Sequence, residues 1–155
     1  MWKRSNNTLL TAFILLLLAG CSEEITPETL LRQAINQAQE SADKRDLGEF
    51  MAVISEDYND EGNRRWKDIR ALAQLHFIRN PKIHTLKRIT RLDMIDDNTA
   101  EVTVLVALAG RPIDNVSALS GLRAKLMQFE LDFKLKQDWQ IVRASWQHAE
   151  ITDFL

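Results

Sequence analysis

Four groups of residues in this chain of 155 carry side chains able to do chemistry. The first is the only thiol, Cys21, which directly follows Leu18-Ala19-Gly20. A thiol is the most nucleophilic side chain for alkylation, and a lone cysteine excludes an internal disulfide and any Cys-rich zinc site. The second is Asp57-x-Asn59-x-Glu61-Gly62-x5-Asp68, whose spacing approximates a calcium loop. Glu61 is longer than the acid that position needs, Arg64 stands where an apolar residue packs, and Asp68 is too short to grip a cation with both oxygens. Arg64, Arg65 and Lys67 would also repel the ion, so a plain interhelix turn is expected. The third is the set His76, His84 and His148, which share no metal-ligand spacing. His76, His148, Asp132 and Tyr58 are the groups that could act as acid or base, but none has an evident orienting partner, so no catalytic residue is assigned. The fourth is a run of cations, Arg64, Arg65, Lys67, Arg70, Lys87, Arg88 and Arg91, a candidate anion-binding face. No pattern calls for a metal or another cofactor.

Residues 1–20 have a three-part layout. Lys3 and Arg4 form a short positive region, Leu9 to Ala19 is apolar apart from Thr11, and small residues precede Cys21. The apolar run of 11 residues falls short of the ~20 that span a bilayer. Leu18-Ala19-Gly20-Cys21 resembles the bacterial lipobox. The resemblance implies cleavage between Gly20 and Cys21, diacylglycerol on the Cys21 sulfur and an acyl chain on the new amine. Several acyl chains anchor stably, each buried methylene contributing about 0.8 kcal/mol. Ser22, not Asp, follows the cysteine, which resembles the outer-membrane sorting pattern. The expectation is therefore a signal peptide over 1–20, a lipidated tether over 21–26, and one domain over 27–155 facing the periplasm from the outer membrane.

The composition fits one ordinary domain: 45% apolar, 27% charged, only 5 Gly and 3 Pro. A formal charge of −2 argues against nucleic-acid binding. The charge is unevenly spread. Residues 22–61 hold 11 acids and 3 bases, 64–91 hold 9 bases and 1 acid, and 92–155 hold 10 acids and 6 bases. Segments of opposite sign can neutralise each other side by side, or the basic one can meet an anionic envelope component.

Thr26-Pro27 reads as an N-cap and first helical residue, and Leu31, Ala34, Ile35, Ala38 and Ala42 recur at helical spacing to about residue 44. Asp46 can cap a second helix with Leu47, Phe50, Met51 and Ile54 on one side. Asn63 can cap a third, running to Arg79 and burying Trp66, Ile69, Ala73 and Phe77 before Asn80-Pro81 ends it. Strands are expected over 83–94, 99–109, 127–135 and 139–148, with 110–121 a loop. Met127, Phe129, Leu131, Phe133 and Leu135 alternate strictly with polar residues, the mark of a half-buried antiparallel strand. In the last strand Trp139 and Ile141 lie on one parity, Val142 and Trp146 on the other, which a bulge would reconcile. Helices followed by antiparallel strands make an α+β fold with helices packed on a curved sheet.

This order, closing on the hairpin Phe-Lys-Leu-Lys-Gln-Asp-Trp-Gln-Ile-Val-Arg (133–143), resembles the nuclear transport factor 2-like, or cystatin-like, cone superfamily over about 27–148. The resemblance implies a cone whose interior can be a pocket, with Tyr58, Trp66, His76, Phe129 and Trp139 as candidate lining. Only the turn 55–62 stands where many members have a hairpin. Three functions stay open. A binder of a small apolar or anionic ligand, or of an envelope protein, needs an open apolar cone. An acid–base enzyme (isomerase, dehydratase or cyclase) needs a buried ionisable residue with an oriented partner. A purely structural component needs a filled cone and an exposed patch. Replacing Cys21 with serine is expected to abolish partitioning into the detergent phase in a detergent phase-separation assay; unchanged partitioning counts against the lipid.

Overall fold

A computed structural model describes residues 25–155. The expected signal peptide, Gly20, Cys21 and most of the tether lie outside the described residues. Three helices come first: α1 (Pro27–Lys44), α2 (Leu47–Ala52) and α3 (Trp66–Arg79). Four strands follow: β1 (His84–Asp96), β2 (Thr99–Ala109), β3 (Lys125–Leu135) and β4 (Trp139–His148). Short 3₁₀ turns cover Val116–Gly121, inside the expected loop, and Ile151–Phe154. The strands form one antiparallel sheet in the order β1-β2-β3-β4.

Local chemistry sets the helix ends. Thr26 Oγ1 accepts the Thr29 N–H at 3.1 Å, and Pro27 starts α1 where a missing N–H costs nothing. Arg45, at φ 54°, ends α1 in a left-handed turn, and Asp46 Oδ1 then accepts the Glu49 N–H at 3.0 Å to cap α2. The third start differs from expectation. Asn63 does not cap α3 but sits at φ 55° in the preceding turn, and Arg65 is the N-cap. Asp68 decides this, because its carboxylate accepts the Arg65 N–H at 2.8 Å. A capping carboxylate in the first turn is the role this bond gives Asp68.

The bulge in β4 is at Val142: Asp132 pairs with Arg143 and Phe133 with Ile141, leaving Val142 without a partner on β3. The extra residue puts Ile141, Ala144 and Trp146 on the same inner face despite their unequal spacing. The free edge of β4 there is covered by residues 53–59. Ile141 donates its N–H to the Val53 carbonyl at 2.8 Å, and its carbonyl accepts from Ser55 at 2.9 Å. The Val142 carbonyl accepts from Asn59 at 3.1 Å. The acidic segment therefore closes a sheet edge that would otherwise be exposed.

The main core lies between the helices and the inner face. Leu31 and Ile35 of α1, with Met51, Val53, Ile54 and Tyr58, meet Ala100, Val102, Leu131, Phe133 and Ile141. A smaller core sits on the outer face, where Leu119 and Phe154 cover Leu105 and Ala107. β2 is thus covered on both sides. Phe133 is fully buried, 0% exposed, at the centre of the main core. Phe133→Ala is expected to destabilise the domain by about 4 kcal/mol, read as a lower urea midpoint with an unchanged slope.

Candidate functional site

Strand alternation builds one wall of the site. Register places Thr85, Leu108 and Lys125 in one row across β1, β2 and β3, then Lys87, Val106 and Met127 in the next. Val104, Phe129 and Trp146 follow, then Val102, Leu131 and Ala144, then Phe133 and Ile141. All share the inner face because the side-chain period of a strand is two. The opposite wall comes from Ile35, Ala38, Gln39 and Ala42 of α1, Phe50 of α2, and Ile69, Leu72, Ala73, His76 and Phe77 of α3. Between them lies a cavity of about 450 Å³, within the ~300–1,000 Å³ usual for small-molecule sites.

The sequence of α1 explains why the space exists. Its inward face carries Leu31 and Ile35 where it crosses the Phe133 end of the sheet, but only Ala38 and Ala42 further along. Leucine and isoleucine fill one end, and methyl groups cannot fill the other. α3 spans the gap with Ala73 inward and packs loosely: Leu72 is 46% exposed and Ile78 71%.

The wide end carries the polar groups. Gln39 donates its amide to the Thr85 carbonyl at 3.0 Å, and the Lys87 ammonium donates to Gln39 Oε1. Thr85 Oγ1 donates to Asp43 at 2.8 Å. Burial pushes the Lys87 pKa below the usual lysine value, against the opposing pull of the Glu40 and Asp43 carboxylates. Burial also lowers the His76 pKa, with the Lys125 charge adding to it. Asn80 Nδ2 lies 3.3 Å from His76 Nδ1 and donates to the His76 carbonyl at 2.8 Å, so the helix's own end orients the ring.

At the other margin a buried carboxylate organises the approach to α3. The Asp60 side chain, 1% exposed, accepts the N–H groups of Gly62 at 2.9 Å and Arg64 at 3.0 Å, the Arg64 guanidinium at 2.7 Å, and the Tyr58 hydroxyl at 3.0 Å. Burial alone would raise its pKa, but the bonds from Arg64 and Tyr58 outweigh that and hold it below the ordinary range. The Tyr58 phenol is pushed up by burial and by the neighbouring carboxylate. Arg64 also stacks 4.2 Å above the Trp146 ring, which lines the cavity.

Of the candidate lining residues, Tyr58, His76 and Phe129 form part of the wall. Trp66 and Trp139 lie outside it. Trp66 opens α3 with Arg70 5.7 Å above its ring, while Trp139 is buried in the core beyond the bulge, its indole N–H unpartnered among the described residues. The seven cations are not gathered on one face. Lys87 points into the cavity, whereas Arg88, one residue on, must point outward and donates to the Phe154 carbonyl. Arg64 is engaged by Asp60, Arg91 pairs with Asp93 and Glu101, and Arg65, Lys67 and Arg70 are exposed along the start of α3. The loop resembling a calcium site is tied by other means: Asp57 pairs with Lys136 at 2.6 Å, and among the described residues no three His, Cys, Asp or Glu side chains converge. Asp132 pairs with Arg143 at 2.6 Å across the strands. Sequence reasoning missed Lys125, Gln39 and Asp60. Lys125 was readable in principle, since it shares the inward parity of Met127 and Phe129.

No protein-family model matches this sequence, and no curated protein matches it. Solved structures do match. A putative scytalone dehydratase from Novosphingobium aromaticivorans superposes with a TM-score of 0.61 at 14% identity, covering 78% of this chain and 83% of that one. An NTF-2-like protein of unknown function from Shewanella oneidensis gives 0.59 at 14% identity, covering 78% and 98%. Bd1075 from Bdellovibrio bacteriovorus gives 0.59 at 8% identity over 77% of this chain, which spans only 40% of that protein. The chain has the nuclear transport factor 2-like, cystatin-like fold, and at these identities the likeness extends to fold alone.

The Asp60 pKa is lowered, so the stability it contributes is present above the ordinary carboxylate value, 3.8, and is lost as pH falls through the lower folded value. Asp60→Asn is expected to cost about 2 kcal/mol at neutral pH, with the gap to the parent protein closing in strong acid; urea midpoints across a pH series measure it.

Proposed function

We propose that this domain binds a small, largely apolar ligand and performs no chemistry on it, while lipid on Cys21 holds it to the outer membrane facing the periplasm. The observation that carries the binding reading is the cavity of about 450 Å³, walled by aliphatic and aromatic side chains from both layers. A well-formed apolar pocket with few polar groups is the usual form of a ligand site. The anchor rests on Leu18-Ala19-Gly20-Cys21 and the apolar run before it.

The name of one structural neighbour, a putative scytalone dehydratase, raises acid–base catalysis as the other use of this fold. The side chains here favour binding. Asp60 is a carboxylate already saturated by donors, so it has no capacity to take a substrate proton. The Tyr58 hydroxyl is committed to Asp60, and its raised pKa makes it a poor acid near neutrality. His76 is oriented by Asn80, an amide that neither relays a proton nor stabilises an imidazolium.

Ala73 faces the cavity from the loosely packed α3, so a large side chain there fills the space with little strain elsewhere. The full chain is expected to bind the neutral apolar fluorophore N-phenylnaphthylamine, and Ala73→Trp to weaken that binding at least tenfold without lowering the urea midpoint. Failure of the parent protein to bind, or equal binding by Ala73→Trp, overturns the reading.

A further inference from the structure

The cavity is not uniformly apolar. Its narrow end is closed by Phe133, Leu131 and Ile141, while its wide end presents two lysines on the same inner face. Lys87 lies on β1 and Lys125 on β3, separated by one strand and one row of the register. Two strand spacings across and two residues along put their backbones about 12 Å apart, and each ammonium has a four-carbon stem to close that gap. Lys125 is exposed, so the cavity meets solvent at this row.

The ion pairing at this end is incomplete. Lys87 is half-buried, yet among the described residues its hydrogen-bond partner is a neutral amide oxygen, that of Gln39. Neither lysine forms an ion pair with any described carboxylate. The nearest acids belong to α1 and point to other partners: Asp43 accepts from the Thr85 hydroxyl at 2.8 Å, and Glu40 lies 3.5 Å from Lys44. His76 faces the same end from α3, and burial together with Lys125 disfavours its charged form. The Glu40 and Asp43 carboxylates attract Lys87 without pairing with it. A partly desolvated cation with no carboxylate in contact is unfavourable, and an anion placed between the two lysines would relieve it.

We infer that the cavity takes a single-chain amphiphile with an anionic head, its hydrocarbon chain along the Val106, Val104 and Leu131 wall and its carboxylate or phosphate between Lys87 and Lys125. This rests on the cavity being a ligand site, as proposed above, and adds the chemistry of the ligand. A neutral hydrocarbon fills the walls but leaves both ammoniums without an ion pair. A cationic amphiphile brings like charge to them. The fourfold gain expected per buried methylene, about 0.8 kcal/mol each, favours longer chains until the cavity is full.

Calorimetric titration of the full chain with dodecanoate, dodecyl phosphate, dodecanol and dodecylammonium tests this. Dodecanoate or dodecyl phosphate is expected to bind at least about tenfold more tightly than dodecanol, with dodecylammonium weakest. Whichever anion binds more tightly distinguishes a fatty carboxylate from a phosphate-headed lipid as the source. Lys87→Gln and Lys125→Gln are each expected to weaken the anions about tenfold more than they weaken dodecanol. Lys125 is exposed, so its replacement does not threaten folding, and the ligand comparison on the parent protein needs no variant. Equal affinity for dodecanol and the anions, or tighter binding of dodecylammonium, overturns the inference while leaving an apolar ligand site in place. Absence of binding by all four overturns the site itself.

Discussion

The inner face of the sheet is apolar over most of its length, and the helices laid across it are equipped to cover only one end. That mismatch governs the rest of the structure. Leu31 and Ile35 reach the strands where Phe133, Leu131 and Ile141 stand, and there the layers close into a core. Further along, α1 offers Ala38 and Ala42, whose methyl groups cannot bridge the distance. Interiors elsewhere in proteins are close-packed, so an unfilled apolar volume of about 450 Å³ sets this layer apart from an ordinary core.

Whether that volume is roofed depends on α3, and α3 is held mainly at its ends. At the start, Asp60 gathers two backbone N–H groups, the Arg64 guanidinium and the Tyr58 hydroxyl, and Arg64 lies against Trp146 on the sheet. Near its end, Phe77 meets Phe50 of α2 edge to face, with ring centroids 5.8 Å apart. Between these points the helix leaves Leu72 and Leu75 substantially exposed, and Ile78 beyond them more so. Few buried contacts and anchors at both ends describe an element whose local opening costs less than unfolding the sheet. A roof of that kind suits the proposed amphiphile, which would enter an apolar space with its polar end outward.

Polar groups are confined to the wide end, and this gives the cavity a direction. Lys87 and Lys125 occupy inward positions that strand alternation reserves for apolar residues, and Gln39 and Thr85 form a small network beside them. The same alternation sends Arg88 to the outer face, where it meets the Phe154 carbonyl and helps seat the C-terminal turn over the second core. Adjacent lysine and arginine residues thus do unrelated work, one at the cavity and one in the scaffold.

Local rules were enough to place most elements. The Thr26 and Asp46 caps, the Asn80-Pro81 stop, the alternation of β3 and the need for a bulge in β4 all depend on residues within a few positions of one another, so they are legible in one dimension. The start of α3 was misplaced because Asn63 and Arg65 compete locally, and the Asp68 bond to the Arg65 N–H decided between them. The α+β arrangement followed from the order of periods, and the resemblance to the cone superfamily nominated Tyr58, His76 and Phe129 for the interior. The sequence alone determined which residues alternate, that Thr26 and Asp46 cap, and where charge is concentrated. Only the tertiary structure decided that Trp139 is core while Trp146 lines the cavity, that the seven cations are dispersed, and that Lys125 joins Lys87. Those outcomes depend on strand register and on a bulge at Val142, which couple residues far apart in the chain, and no local preference encodes which distant rows come to lie side by side.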